Sequence, residues 1–191
     1  MNWLAHLYLS EPSPAFRIGN LLPDLLPLPA LQSLEPEMQR GVEQHRRIDA
    51  FTDSHALVRA SICRIEPPFR RFGGILTDVF FDHFLARQWA AFSNQPLTDF
   101  VEEVYGSFTT HQAQIPFEAH AALQHMEAND WLRSYQHLDG LSRALHRIGR
   151  RFRRPVPLDE AMPLFERHYE AFQADFAAFF PELVVHVAGP G

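Results

Sequence analysis

The chain contains no lysine: all 17 of its basic residues are arginine. Its formal net charge is −6 at pH 7, which argues against a general nucleic-acid binder held by a positive surface. Cysteine is nearly absent as well. Cys63 stands alone, so neither an internal disulfide nor a cysteine metal site is available, and the residue reads as a small core side chain in a reducing compartment. No run of about 18 apolar residues is free of charge, and the opening stretch "MNWLAHLYLS" has neither the basic start nor the cleavage site of a signal peptide. These absences predict a soluble, cytoplasmic protein that does not engage a membrane.

Glycine is scarce, 9 in 191 residues, and the hairpin dipeptide Asn-Gly does not occur. Apolar residues instead recur at spacings of three and four, which predicts an all-α fold. The length suits one domain hiding about 70% of its unfolded surface, and no repeat or linker divides it, so a single-domain helical bundle over 1–191 is expected. Prolines mark the joints, in "EPSP", "LLPDLLPLP", "EPPF" and "RRPVP". Helices are predicted near 2–10, 36–53, 55–65, 74–93, 97–112, 117–137, 139–150 and 159–180. In the last of these Met162, Phe165, Tyr169, Phe172, Phe176 and Phe179 form one core-facing stripe.

Polar residues interrupt other apolar faces. Met38, Val42, His45, Asp49 and Thr52 follow helical spacing, so His45 and Asp49 lie one turn apart where Met38 and Val42 point. In "TDVFFDHFLARQW", Asp78 and Asp82 share a stripe with Ile75, Leu85 and Trp89. Buried carboxylates one turn apart repel and each costs several kcal/mol unless compensated. A divalent cation is one compensation. His6, inside the repeat of Trp3, Leu4, Leu7 and Tyr8, and Asp24, set among leucines in "GNLLPDLL", are further candidates. Imidazole with carboxylate suits Mn, Fe, Zn, Ni or Co rather than calcium. Structural alternatives remain for each residue: Asp49 paired with Arg46, Asp82 with another arginine, His6 bonded to a backbone carbonyl.

The cations are unevenly spread. Arg133, Arg143, Arg147, Arg150, Arg151, Arg153 and Arg154 fall within residues 133–154, where Asp139 is the only acid. The cluster reads as a docking patch for an acidic partner or as a solvated helix end that complements the helix dipole.

Four blocks, "MNWLAHLYLS", "IGNLLPDLL", "HRRIDAFTDSH" and "DVFFDHFLARQW", together with the tail "HYEAFQADFAAFFPEL", resemble the acyl carrier protein phosphodiesterases. The resemblance implies a metal-dependent hydrolase that removes 4'-phosphopantetheine from holo acyl carrier protein and leaves the apo carrier. It implies a divalent ion, manganese first, with Mg, Co or Fe as alternatives, and an all-α fold that diverges from the HD phosphohydrolases. No His-Asp dipeptide occurs here; the nearest equivalents are Asp24, His45 with Asp49, and Asp78 with Asp82. Carried over residue by residue, the ligands are His6, Asp24, His45, Asp49, Asp78 and Asp82. Asp78 or Asp82 is expected to take a proton from water, and His83 to act as a second-shell group or to protonate the leaving serine. Arg46, Arg47, Arg150 and Arg151 are expected to contact phosphate or carrier. Two rival readings stay open: an HD-type phosphohydrolase acting on nucleotides or small phosphate esters, and a non-catalytic helical binder of an acidic protein. Oligomeric state is not fixed by the sequence.

Overall fold

A computed structural model describes residues 1–189. Twelve α-helices make up the architecture, and no strand occurs among the described residues. They are α1 (Trp3–Tyr8), α2 (Pro14–Leu21), α3 (Leu28–Leu31), α4 (Pro36–Ser54), α5 (Ala56–Cys63), α6 (Gly73–Arg87), α7 (Leu97–Thr110), α8 (Phe117–Ala128), α9 (Trp131–Ser134), α10 (Leu138–Arg150), α11 (Met162–Arg167) and α12 (Tyr169–Ala188). Among the described residues no helix is long and apolar enough to cross a membrane.

Local chemistry explains most of the boundaries. Ser13 and Pro14 start α2: the hydroxyl accepts from Phe16 N–H, and the proline occupies the first turn, where its missing donor costs nothing. Pro36 opens α4 in the same way. The helix expected over 117–137 is two helices, because the chain turns at Asn129–Asp130, with Asp130 at φ 46°. Aspartate tolerates that left-handed geometry, and Tyr105 Oη then accepts the Leu132 N–H. The helix expected over 159–180 breaks at His168 between α11 and α12 and then runs past Pro181 to Ala188. Its last carbonyls, His186 and Gly189, accept from the Arg47 guanidinium, as cations at helix C-termini do. The helix expected over 74–93 ends at Arg87 and is followed by a 3-10 turn at Trp89–Ala91. Cys63, expected in the core, is exposed at the end of α5.

The core centres on α6, which is buried almost all round. Phe80 stacks on Phe165 at 4.2 Å and meets Phe172 edge-on, while Phe81 meets Phe176 edge-on and Phe179 at a tilt. Met162, Phe165, Phe172, Phe176 and Phe179 of the stripe are buried as the spacing predicts, across the break at His168, and Tyr169 is partly buried. Such ring pairs contribute about 0.5–1.5 kcal/mol beyond the area they bury.

A second contact fixes the other half of the molecule. Helices α2 and α4 pass so closely that a Cβ on Gly19 would lie 2.1 Å from the Met38 carbonyl oxygen, and one on Gly41 would lie 2.2 Å from that of Phe16. Only glycine permits this approach. It carries Asn20, the residue after Gly19, against His45. Gly41→Ala is accordingly expected to destabilise the protein by about 1–3 kcal/mol or more, lowering the melting midpoint by several degrees; thermal unfolding followed by circular dichroism checks this.

Candidate metal centre and adjoining cavity

His6 on α1 and His45 on α4 lie with their rings stacked, centroids 4.1 Å apart. One residue orients both. His6 Nδ1 bonds Asn20 Oδ1 at 3.0 Å, and His45 Nδ1 bonds the Asn20 backbone carbonyl at 2.8 Å. The Asn20 amide nitrogen donates to the His6 carbonyl and to Ser10 Oγ, each at 2.8 Å, which leaves Oδ1 to accept from His6. Both imidazoles thus carry their proton on Nδ1 and turn Nε2 the other way.

Both Nε2 atoms point at Asp49. His6 Nε2 lies 3.2 Å from Asp49 Oδ1, and His45 Nε2 lies 3.1 Å from Oδ2. His6 Nε2 also lies 3.1 Å from the Met1 carbonyl oxygen. A neutral His6 has nothing to donate there, so lone pairs face lone pairs unless a proton or a cation intervenes. Burial disfavours the proton and lowers His6 from its ordinary value, against the pull of Asp49. Burial also opposes the His45 charge, but its contacts with Asp49 and Asp24 and its bond to Asn20 outweigh it and raise the group. Burial raises Asp49 less than the two histidines and the Met1 ammonium lower it, so its carboxyl stays far below the usual range. His6, His45 and Asp49 each offer a donor atom within 4.8 Å of the others. Two imidazoles with pinned Nδ1–H groups and one carboxylate fit a borderline divalent metal.

The other predicted carboxylates surround this cluster in different ways. Asp24, at the end of a 3-10 turn after α2, lies 3.9 Å from His45 Nε2 and accepts the Trp3 indole N–H at 2.8 Å. Asp78 sits 3.1 Å from the Met1 ammonium, which is also 3.4 Å from Asp49. Burial raises Asp78 despite that ammonium, and the ammonium itself is held at about 10: burial opposes its charge, but Asp78 and Asp49 more than compensate. Asp82 is fully buried and caps α1 from α6, accepting the N–H groups of Leu4 at 2.8 Å and Ala5 at 3.1 Å. Burial raises its carboxyl to about 7, against those two donors.

His83 points into different surroundings. Its Nδ1 donates to the Tyr135 carbonyl at 2.7 Å and its Nε2 accepts from Tyr169 Oη at 3.1 Å. Burial lowers it to about 4, the Tyr135 bond opposing, so it is neutral near pH 7. The arginines separate too. Arg46 is exposed beside a shallow depression with Gln39 and Glu43, Arg47 serves the end of α12, and Arg150 is exposed. Arg151 alone of these four reaches the site, donating to the Asp24 carbonyl at 2.7 Å.

Next to the cluster lies a cavity of about 320 Å³ whose lining includes Met1, Trp3, Asp24, Asp78, Arg147 and Arg151. Asn20, which bonds both histidines, and Trp3 and Trp131, which line the cavity, are positions that the sequence pattern did not single out as site residues. A buried asparagine in "IGNLLPDLL" is the one local signal of the first; the tryptophans read as ordinary apolar residues.

The state of His83 carries a pH dependence. Its folded value lies below the 6.5 of the free side chain, so the unfolded chain binds the extra proton first as acid is added. Its contribution to stability is complete above pH 6.5 and is lost as the pH falls toward 4, on the order of 3 kcal/mol in all. His83→Gln is expected to flatten the stability profile in that window, as measured by urea unfolding at pH 7, 5.5 and 4.5.

Comparison with known proteins matches residues 1–183 to a family model described as acyl carrier protein phosphodiesterase. Curated relatives of that name are 31% identical over 97% of this chain and 96% of their own in Enterobacter sp. (strain 638), and 29% identical over 96% of each chain in Yersinia pestis. One from Escherichia coli O139:H28 (strain E24377A / ETEC) is 30% identical over 98% of each chain. No solved structure matches. The chain belongs to the acyl carrier protein phosphodiesterase family.

Proposed function

We propose that this protein is a metal-dependent hydrolase that removes 4'-phosphopantetheine from holo acyl carrier protein and restores the carrier serine. Family membership supports the substrate. The observation that carries the chemistry is the pair of imidazoles, both held through Nδ1 by Asn20 and both presenting Nε2 to Asp49. His6, His45 and Asp49 would hold the ion, with Asp24 beside His45 as the nearest further carboxylate. Manganese is the first choice, with Mg, Co or Fe as alternatives. When bound, such an ion supplies Lewis-acid polarisation of the phosphate and acidifies water.

The chain's own residues divide the remaining work. Asp78 lines the cavity, and its raised affinity for protons suits it to accept one from the attacking water. Asp82 supports the site from behind by fixing α1 and hence His6, whereas His83 faces Tyr135 and Tyr169. Arg147 and Arg151 bring positive charge to the cavity wall. In the overall reaction one water is split: its hydroxyl joins phosphorus, the bond from phosphorus to the serine oxygen breaks, and a proton goes to that oxygen. The arginine-rich end of α10 adjoins the cavity through Arg147 and Arg151, a suitable face for an acidic carrier. Histidine and carboxylate ligands borne on helices also fit a divergent HD-type arrangement.

Two measurements test the reading. Holo carrier incubated with the enzyme and manganese is expected to lose the mass of phosphopantetheine by mass spectrometry, with cleavage slowing as salt is raised; an unchanged mass sinks the proposal. Asn20→Ala is expected to weaken manganese binding by about 10–100-fold, and Asp49→Asn to weaken it further, as read by titration calorimetry on folded protein.

A further inference from the structure

The cavity beside the cluster has aromatic, aliphatic and charged walls. Trp131 stacks on Trp3 with ring centroids 5.4 Å apart and planes 12° from parallel. The Arg147 guanidinium lies 4.0 Å from the centre of the Trp131 ring. The Trp3 indole N–H donates to Asp24, and the Tyr135 hydroxyl accepts from the Asn2 amide nitrogen. These aromatic groups are committed to one another and to their hydrogen bonds. A nucleobase draws about 1–3 kcal/mol from each aromatic face it stacks on, and displacing Arg147 from Trp131 would forfeit a cation–π contact to provide one.

Two features remain for a ligand. Leu25, Ile75, Val79 and Ile148 make an aliphatic wall, which a flexible arm with aliphatic groups can cover. Arg147 makes no ion pair among the described residues, although Arg133 and Arg143 on the same basic segment are paired with Asp130 and Asp139. A partly buried guanidinium without a carboxylate is a receptor for an oxyanion, which it grips with two parallel N–H donors.

We propose that this cavity is the subsite for the pantetheine arm of the phosphodiester, that Arg147 grips its phosphate, and that the committed aromatic faces exclude nucleotides. The proposal rests on the phosphodiesterase reading and adds the residues that select the substrate. The arm's aliphatic stretches lie along the Ile75–Ile148 wall, and its phosphate sits between Arg147 and the side of the cavity formed by Asp24 and Asp78, toward the His6–His45–Asp49 cluster.

The experiment measures binding of free 4'-phosphopantetheine to the intact protein in the presence of manganese, with adenosine 5'-monophosphate as the competing probe. Two of the three tryptophans line the cavity, so intrinsic fluorescence reports occupancy. Phosphopantetheine is expected to bind at least tenfold more tightly than the nucleotide, and Arg147→Gln to weaken it tenfold or more while Arg147→Lys recovers part of the loss. Equal affinity for the two probes, or an unchanged affinity in folded Arg147→Gln, overturns the proposal. Ala122→Phe, which fills the cavity from α8, provides a second reading: lost binding supports the subsite and unchanged binding overturns it. The two levels fail separately. Wild-type protein that binds phosphopantetheine but leaves holo carrier intact overturns the carrier-hydrolase reading, whereas carrier cleavage with the same KM in Arg147→Gln overturns the subsite alone.

Discussion

The side chain and carbonyl of Asn20 join three helices at one buried point. Its amide group binds the His6 ring and the His6 carbonyl on α1, its backbone oxygen binds the His45 ring on α4, and it sits itself on α2. A buried amide left without these partners would cost about 1–3 kcal/mol per group, so the network holds together as a unit. The glycines of α2 and α4 make it possible, because a side chain on Gly19 or Gly41 would push the helices apart and lift Asn20 away from His45. Packing and chemistry share one geometric requirement here.

Three acids around that point meet different partners. Asp49 faces the Nε2 atoms of two imidazoles, Asp78 an ammonium, and Asp82 the otherwise unpaired N–H groups at the start of α1. The last arrangement solves two problems together, since a short buried helix needs acceptors for its first donors and a buried carboxylate needs donors. Asp82 thereby links the aromatic core of α6 and α12 to the helix that carries His6. His83, one residue on, faces Tyr135 and Tyr169 instead, because adjacent residues on a helix point about 100° apart.

On an acidic protein the placement of arginine matters more than its number. Arg47 ends a helix, Arg64 bonds the buried Asp175, and Arg17 bonds Glu103; each completes the fold. Arg147 and Arg151 line the cavity beside the carboxylates. Positive and negative walls facing one another across a small space suit a ligand that carries both a phosphate and its metal counter-ion.

All-helical architecture, the main helix positions and the buried aromatic stripe are legible in the sequence because they follow from local periodicity. His45 and Asp49 are legible for the same reason: spacing of four puts them on one face whatever the remainder of the chain does. Asp82 marks the limit. Helix α6 is buried on nearly every side, so apolar spacing cannot tell which neighbour a polar residue meets, and the capping of α1 across 78 positions has no sequence signature. The breaks at Asp130 and His168 likewise depend on what packs nearby. Asn20 as the shared partner of two histidines, and Arg147 as a cation over Trp131 with no ion pair among the described residues, exist only once distant helices meet. The sequence by itself determined which groups are available and which faces they share; the tertiary structure decided which of them touch, because hydrogen bonds and ion pairs depend on distances that no local pattern encodes.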